Sequence, residues 1–296
     1  MKYNGTIYRP PVEARTFLLP ITEGCTHNSC TFCNMFQNVP FRMLSTSEVE
    51  ESLQEARQNY SRYCDKVQRV YLVGADPFAL SAKKLLERIE LIKQYLPNAR
   101  VFTMYARTDN IVSKSDDELK ALKEAGVDDL YIGVECGLND VLEKLNKGYS
   151  ADETRKQCLR LNTVGIRHCD LLMLGTAGRG KGLECARATA ALENEIKPHM
   201  ILVNTMSAFV GTKLDEDIKT GAFLPATEKE NLEEEREFLA GLELPDCYFW
   251  ALHPLDSVKL DGILREEKQQ MLDELTQSIN HVEENVISRT SRVGTL

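Results

Sequence analysis

Short runs of apolar, β-branched and aromatic residues recur along the chain with amphipathic helical segments between them. That alternation confines the fold to a parallel sheet flanked by helices. The runs are RTFLLPIT (15–22), RVYLVG (69–74), RVFTMY (100–105), DLYIGV (129–134), CDLLML (169–174) and HMILVN (199–204). Between them lie SEVEESLQEARQNY, SAKKLLERIELIKQYL, SDDELKALKEAG, NDVLEKLNKG with SADETRKQCLRLNTVG, and KGLECARATAALENEI, each with apolar residues three and four apart. Several open on Ser, Asp or Asn and close near Gly, as capped helices do. Most strand starts fall about 30 to 40 residues apart, the length of a β–α repeat, with no repetition of sequence between units. Six such strands in 296 residues fit a barrel-type α/β fold.

After residue 225 the pattern changes to a charged helix, TEKENLEEEREFLAGL, then DCYFWALHPLDSVKLDGIL, then a helix from about Arg265 to Glu284. No Pro- or Gly-rich linker interrupts the chain. The expected organisation is a core barrel with a short lead-in over 1–225 and an extension over 226–296 that packs on it and does not stand alone. The final residues, around VISRTSRVGTL, are expected to fray. A formal net charge of −9 argues against a phosphate-tracking surface, so nucleic acid is not an expected partner. No run of about 18 apolar residues exists, and the start, MKYNGTIYRPP, lacks the apolar core of a signal peptide. The expectation is a cytoplasmic protein with no membrane partner.

In such a reducing compartment the nine cysteines, an odd number, do not suggest a disulfide framework. Only Cys25, Cys30 and Cys33 cluster, in GCTHNSCTFCNMF. Thiolates suit zinc or an iron–sulfur cluster. A structural zinc needs four ligands, and His27 is the nearest fourth, two residues from Cys25; a second CxxC or paired His is absent from the sequence. Three cysteines in a loop after the first strand instead suit a cubane whose fourth iron is open to a ligand. Cys64, Cys136, Cys158, Cys169, Cys185 and Cys247 form no spaced set and read as buried packing.

This loop resembles the cluster loop of the radical S-adenosylmethionine (SAM) superfamily, where CxxxCxxC is the common form. Phe32 stands at the family's aromatic position, but the spacing here is CxxxxCxxC, one residue longer. The resemblance extends along the chain. Gly74, Ala75 and Asp76 resemble the GGE or GGD segment that meets the SAM amino group, with Ala replacing a glycine. YIGVECGLNDVLEKLNKGYSADE resembles a segment of the branch that holds oxygen-independent coproporphyrinogen oxidases and methylthiotransferase-like enzymes. There Glu135 falls where a carboxylate lies near SAM, and Lys147 where a basic residue reaches the SAM carboxylate. Arg107, after the third strand, is a candidate to neutralise the SAM carboxylate or a substrate acid, with Tyr105 beside it at the face where barrel sites gather. LMLG resembles the glycine-bearing segment close to the nucleoside, which carries the role to Gly175. Asp170 is one position off a related acid, and Val203 and Met206 are candidate adenine contacts; Val210 stands where Pro is common.

The resemblance, over about residues 15–225, implies a partial (β/α)6 TIM-type barrel with a helical C-terminal extension, binding one [4Fe-4S] cluster and SAM. It implies an enzyme in which reductive cleavage of SAM gives a 5'-deoxyadenosyl radical that abstracts hydrogen from a small-molecule substrate, with a one-electron donor such as flavodoxin or ferredoxin as partner. A narrower group of radical SAM proteins shares RPP near the start, the GC-x-HN-x-C-TFC loop and a late aromatic–His segment; Arg9, Pro10, Pro11, His27, Asn28, Thr31 and His253 match it. Tyr248, Trp250 and His253 are candidates, with Tyr105, for a substrate pocket. Two rival readings stay open: a zinc- or cluster-bearing binding protein without turnover, and a coproporphyrinogen oxidase-like or haem-related enzyme. A tRNA methylthiotransferase would need a basic appendage that the sequence lacks.

Overall fold

The computed structural model describes residues 6–283, Val286 and the backbone of Arg292–Val293. After a 3-10 turn at Pro11–Glu13 come β1 (Phe17–Pro20), β2 (Thr22–Glu23), β3 (Arg42–Met43), α1 (Thr46–Cys64), β4 (Arg69–Val73), α2 (Ala82–Tyr95) and β5 (Val101–Ala106). Next are α3 (Thr108–Val112), α4 (Asp116–Ala125), β6 (Val127–Glu135), α5 (Asn139–Lys144), α6 (Ala151–Val164), β7 (His168–Leu174), α7 (Gly182–Ile196) and β8 (Met200–Thr205). The remainder is β9 (Ala208–Phe209), α8 (Lys213–Thr220), α9 (Glu228–Gly241), β10 (Tyr248–Ala251), β11 (Leu260–Ile263), α10 (Leu264–His281) and β12 (Arg292–Val293). This is an α/β fold with a mostly parallel central sheet, of the partial TIM type, and a helical C-terminal part. The six apolar runs of the sequence are β1, β4, β5, β6, β7 and β8.

The chain forms two compact units. The first holds the residues up to Asn28, Phe36–Gly133 and Gln157–His168. Its strands lie in the order β1, β4, β5, β6, all parallel, with Leu19 beside Leu72, Leu72 beside Met104 and Met104 beside Leu130. Val70, Tyr71, Leu72 and Val73 are all buried, as a parallel strand covered on both faces requires. The Ser-initiated helices are capped as their sequences suggest. Ser45 and Glu48 close a capping box on α1, and Ser115 and Glu118 do so on α4, satisfying N–H groups that have no partner within the helix.

The second unit holds Ser29–Met35, Val134–Lys156 and the residues from Cys169 onward. Here β7 pairs in parallel with β8, and β8 with β10. The segment read only as a covering extension therefore also adds strands: β10 and β11 form an antiparallel pair, Tyr248 beside Ile263 through Ala251 beside Leu260. YFWA offers no alternation to mark it as a strand: its last three residues are all buried. α9 packs on α7, and α10 on both α9 and β11. The expected helix near Arg265–Glu284 is α10, ending at His281; most of the last dozen residues lie outside the described ones.

Candidate active site

In a parallel α/β sheet the carboxyl ends of the strands present their loops together, and functional groups collect there. The cysteine loop follows β2, and its residues divide between the units: Cys25 belongs to the first, Cys30 and Cys33 to the second. All three thiols are half-buried, whereas the other six cysteines are buried.

In the first unit the Cys25 sulfur accepts a hydrogen bond from the Asn28 N–H at 3.4 Å and another from the His27 backbone. Asn28 takes a left-handed conformation (φ 45°) to aim its N–H, and its side-chain amide donates to the Phe36 carbonyl at 2.8 Å. His27 thus serves the loop through its backbone. Asp76 is fully buried at the end of the β4 loop, where it accepts hydrogen bonds from the Thr26 N–H at 3.2 Å and from the Thr26 hydroxyl. Burial raises the Asp76 pKa, although the Thr26 hydrogen bonds and the Arg107 charge pull the other way. Burial, then the Asp76 charge, also raises that of Cys25, with the loop N–H groups and Arg107 opposing. Gly74 is obligatory, because a Cβ there would collide with the Thr22 hydroxyl. Ala75 beside it is half-buried. Arg107 is buried after β5 and grips Asp109 through Nε (3.0 Å) and Nη2 (3.1 Å), while its N–H donates to Asn110 Oδ1 at 2.9 Å. Tyr105 is half-buried and meets Tyr71 and Tyr131 edge-on, with ring centroids 5.9 and 6.1 Å away.

In the second unit the loop is pinned from two sides. The Thr31 N–H donates to Leu145 O (3.0 Å) and the Asn146 amide to Ser29 O (2.7 Å), while the Leu214 N–H donates to Thr31 O (2.9 Å). The Cys33 N–H closes a turn on Cys30 O. Glu135, the last residue of β6, has φ 66°, a strained value for a non-glycine residue, and its carboxylate takes Lys147 Nζ at 2.7 Å. The pair is buried, with side chains 9% and 6% exposed. Lys147 Nζ also lies 5.9 Å from the Phe32 ring centre and 5.4 Å from that of Tyr149. Burial opposes the Lys147 charge, but Glu135, Tyr149 and Cys30 outweigh it and raise its pKa. A cation fixed beside Cys30 and stacked between aromatic faces is a ready anchor for a ligand carboxylate.

Gly175, beyond β7, has φ 78° and donates its N–H to Glu234 Oε2 at 2.9 Å; a Cβ there would lie 2.8 Å from Asn231 Oδ1. Asp256 is buried and accepts from the Thr205 N–H (2.9 Å) at the end of β8 and from the His253 N–H (3.0 Å), tying the 253–256 turn to that strand end. Burial raises its pKa to about 6. Burial and then the Lys259 charge lower that of His253, which is half-buried.

The expected site residues thus form groups within each unit. Cys25, Asp76 and Arg107 share one electrostatic neighbourhood in the first. Cys30, Phe32, Glu135 and Lys147 share another in the second. Trp250 is buried on β10 beside Leu202. Tyr248 stands apart: it is level with Met200, the first residue of β8, at the amino end of the strands, and its hydroxyl donates to Asp261. Asp170 is level with Ile201, also near the amino end. Thr26, Tyr149, Asn231, Glu234 and Asp256 were not foreseen. Only Thr26 and Tyr149 carried a local signal, lying one and two residues from Cys25 and Lys147.

The donor set fits a [4Fe-4S] cluster: three partly accessible thiols on one short loop, with backbone N–H groups on one sulfur, in contrast to six buried thiols elsewhere.

Residues 19–179 match the family model described as the Radical SAM superfamily. The heme chaperone HemW of Bacillus subtilis (strain 168) is 27% identical over 161 residues, covering 52% of this chain and 41% of HemW. The chain thus spans less than half the length of that relative. Among solved structures, methylornithine synthase PylB aligns with a TM-score of 0.53 at 16% identity, covering 89% of this chain and 82% of PylB. Coproporphyrinogen III oxidase HemN of Escherichia coli, described as a radical SAM enzyme, aligns with a TM-score of 0.54 at 17% identity, covering 76% of this chain and 51% of HemN. At these identities the structural likeness establishes the fold. Among the described residues no helix is long and apolar enough to cross a membrane.

Proposed function

Because the chain belongs to the radical SAM superfamily, whose members bind a [4Fe-4S] cluster and SAM, we propose that it is a radical SAM enzyme acting on a small molecule, with Cys25, Cys30 and Cys33 as the cluster ligands. The observation that carries this is the contrast between these three half-buried thiols and the six buried ones. When bound, the cluster supplies one electron to the SAM sulfonium, which breaks a C–S bond and yields the 5'-deoxyadenosyl radical that takes hydrogen from substrate.

The chain's own residues then bind, orient and exclude water. Lys147 offers its charge to the SAM carboxylate, and Glu135 holds the ammonium in place until it does. Asp76 accepts from the SAM amino group in exchange for the Thr26 hydroxyl. Arg107, clamped by Asp109, keeps a second positive charge in the first unit for an acidic group. Phe32 and Tyr149 dry the flank of Lys147. A one-electron donor, of flavodoxin or ferredoxin type, completes the requirement. A second reading, a haem-related role, is favoured by the match to HemW.

Anaerobic reconstitution tests both. The wild type is expected to take up about four irons and sulfides and to release 5'-deoxyadenosine on reduction, whereas Cys30→Ala loses the visible absorption and the cleavage together. Full cleavage by Cys30→Ala sinks the ligand assignment. A haem absorbance titration that saturates at one per chain, with no SAM cleavage, favours the second reading instead.

A further inference from the structure

Two of the buried cysteines meet inside the second unit. Cys136 is the residue after β6 and Cys185 lies on the first turn of α7, and each is 1% exposed. Their thiols hydrogen-bond each other. The backbone sets this meeting. Gly137 presses so closely on α7 that a Cβ there would collide with the Ala188 carbonyl oxygen and the Thr189 nitrogen. The Gly137 N–H donates to Thr189 Oγ1 at 2.9 Å, and that hydroxyl donates in turn to Cys185 O at 2.7 Å. Residues 185 and 189 are one turn apart on the same face of α7, so the docked glycine brings its neighbour Cys136 onto Cys185.

The setting is polar, which apolar packing does not call for. The Thr176 hydroxyl lies 3.7 Å from the Cys185 sulfur and also bonds to that of Cys136. The Leu138 N–H donates to Cys136, and the Glu234 carboxyl bonds to Cys185. The two sulfurs are not equivalent. The Cys185 hydrogen bond outweighs burial and lowers the Cys136 pKa, while the same bond, reinforced by burial, raises that of Cys185. A buried thiol is inert when nothing favours its thiolate; here one thiol of a touching pair is favoured as thiolate and the other holds the proton.

We propose that Cys136 and Cys185 are a reactive dithiol whose substrate is a small uncharged peroxide and whose product is an intramolecular disulfide. Burial beside an acidic side chain shuts out a bulky anionic disulfide but not hydrogen peroxide. The Cys136 thiolate attacks one peroxide oxygen. An S–O bond forms and the O–O bond breaks, so the sulfur is oxidised to a sulfenic acid and the peroxide is reduced to hydroxide, which takes up the proton that Cys136 released. The Cys185 sulfur then attacks the Cys136 sulfur. The S–S bond forms, the S–O bond breaks, and the second hydroxide leaves as water with the Cys185 proton. None of these steps uses the cluster or SAM, so the proposal stands or falls apart from the radical reaction.

Peptide mapping reads the product directly, because trypsin leaves each cysteine alone in its own peptide, 124–144 and 182–187. The full chain, loaded with its cluster, treated with hydrogen peroxide, alkylated and digested, is expected to give these two peptides joined in most chains, about 2 Da below their summed mass. Dithiothreitol should separate them. In Cys185→Ser the sulfenic acid has no thiol to resolve it, so dimedone should label Cys136; in Cys136→Ser it should label Cys185 about tenfold less. The wild-type cross-link stands as a test should either variant fold poorly. Both peptides recovered fully alkylated, at a peroxide dose that oxidises the exposed Met43, overturn the proposal. So does a product in which Cys136 or Cys185 is joined to Cys25, Cys30 or Cys33 in place of its neighbour.

Discussion

Two sets of buried acids, one in each unit, are held in opposite ways. In the first, Glu13 is 1% exposed at the amino end of the strands, yet it is surrounded by donors. Arg69 Nε reaches it at 3.0 Å and the Tyr131 hydroxyl at 2.6 Å, the Thr16 hydroxyl adds a third hydrogen bond, and Arg69 also bridges to Asp129. Burial opposes the Glu13 charge, but these hydrogen bonds and the guanidinium outweigh it and hold its pKa below the usual carboxylate range. In the second unit Glu193, Glu234, Glu235 and Asp256 are buried, and burial raises all four pKa values, with the Lys259 charge opposing it at Glu235 and Asp256. Neighbouring acids push further: Asp170 on Glu193, and Asp256 on Glu235. The Glu13 network keeps a buried acid charged by supplying a cation, as Lys147 does for Glu135 in the second unit, whereas burial shifts these four acids toward the neutral form. The same residue type is therefore an ion-pair partner in one place and a neutral hydrogen-bonding group in the other.

The largest effect expected from that contrast is at Glu13. Glu13→Gln removes one of the two carboxylates paired with Arg69 and leaves Asp129, so it should lower stability by about 2 to 4 kcal/mol in urea at pH 7, toward the lower end of the range for breaking a buried pair from one side. Its sign in pH is fixed. The folded pKa lies below the unfolded one, so the stabilisation is complete above the unfolded value near 4.3 and is lost as pH falls through the folded value. The variant should lack this component of acid sensitivity. A loss below about 1 kcal/mol would show that the ionised network contributes no more than a surface pair.

Asp256 runs the other way. Its pKa of about 6 lies above that of an unfolded Asp, so the folded state holds a proton that the unfolded state has released between about pH 4 and 6. Stability from this group is greatest below that window and falls by about 2 to 3 kcal/mol as pH rises through it. Asp256→Asn should flatten that part of the stability profile. At neutral pH it should lose only about 1 kcal/mol, because the amide can still accept from one of Thr205 and His253. A slope that survives in the variant assigns the titration to another acid.

How much of this was legible in the sequence follows from the range over which each feature is specified. The six parallel strands and the Ser-capped helices were readable because period and cap are local, and the three-cysteine loop because its ligands lie within nine positions. The spacing that suggested Glu135 and Lys147 also survives as a contact, since one short helix and a turn separate them. Tyr248 was harder to place, for the opposite reason. An aromatic run followed by His reads as a pocket wall, yet the register of β10 on β8 sends Tyr248 to the amino end. Asn231, Glu234 and Asp256 had no local signal, because each acquires its role from a strand end far away in the chain. α9 was the least legible element. EKENLEEEREFLAG reads as a solvated acidic face, since an ionised carboxylate resists burial. Two of its glutamates are nevertheless buried, and a sequence pattern does not record a protonation state.

That last point gives the smallest effect and the sharpest use of the comparison. Glu234 accepts the Gly175 N–H, and burial followed by the Cys185 thiol raises its pKa well above the usual range, which favours the neutral carboxyl. A neutral Glu and a Gln have nearly the same shape, and each offers a carbonyl oxygen together with a donor. Glu234→Gln should therefore change stability by less than about 1 kcal/mol in the same urea assay in which Glu13→Gln loses several, although both side chains are almost wholly buried. The variant should also lose the fall in stability that Glu234 imposes at alkaline pH, since a raised folded pKa makes its contribution decline as pH climbs through it. If Glu234→Gln proves as damaging as Glu13→Gln, Glu234 is ionised in the fold. A cation must then neutralise it, and the division between a charged and a neutral way of burying acids collapses into one.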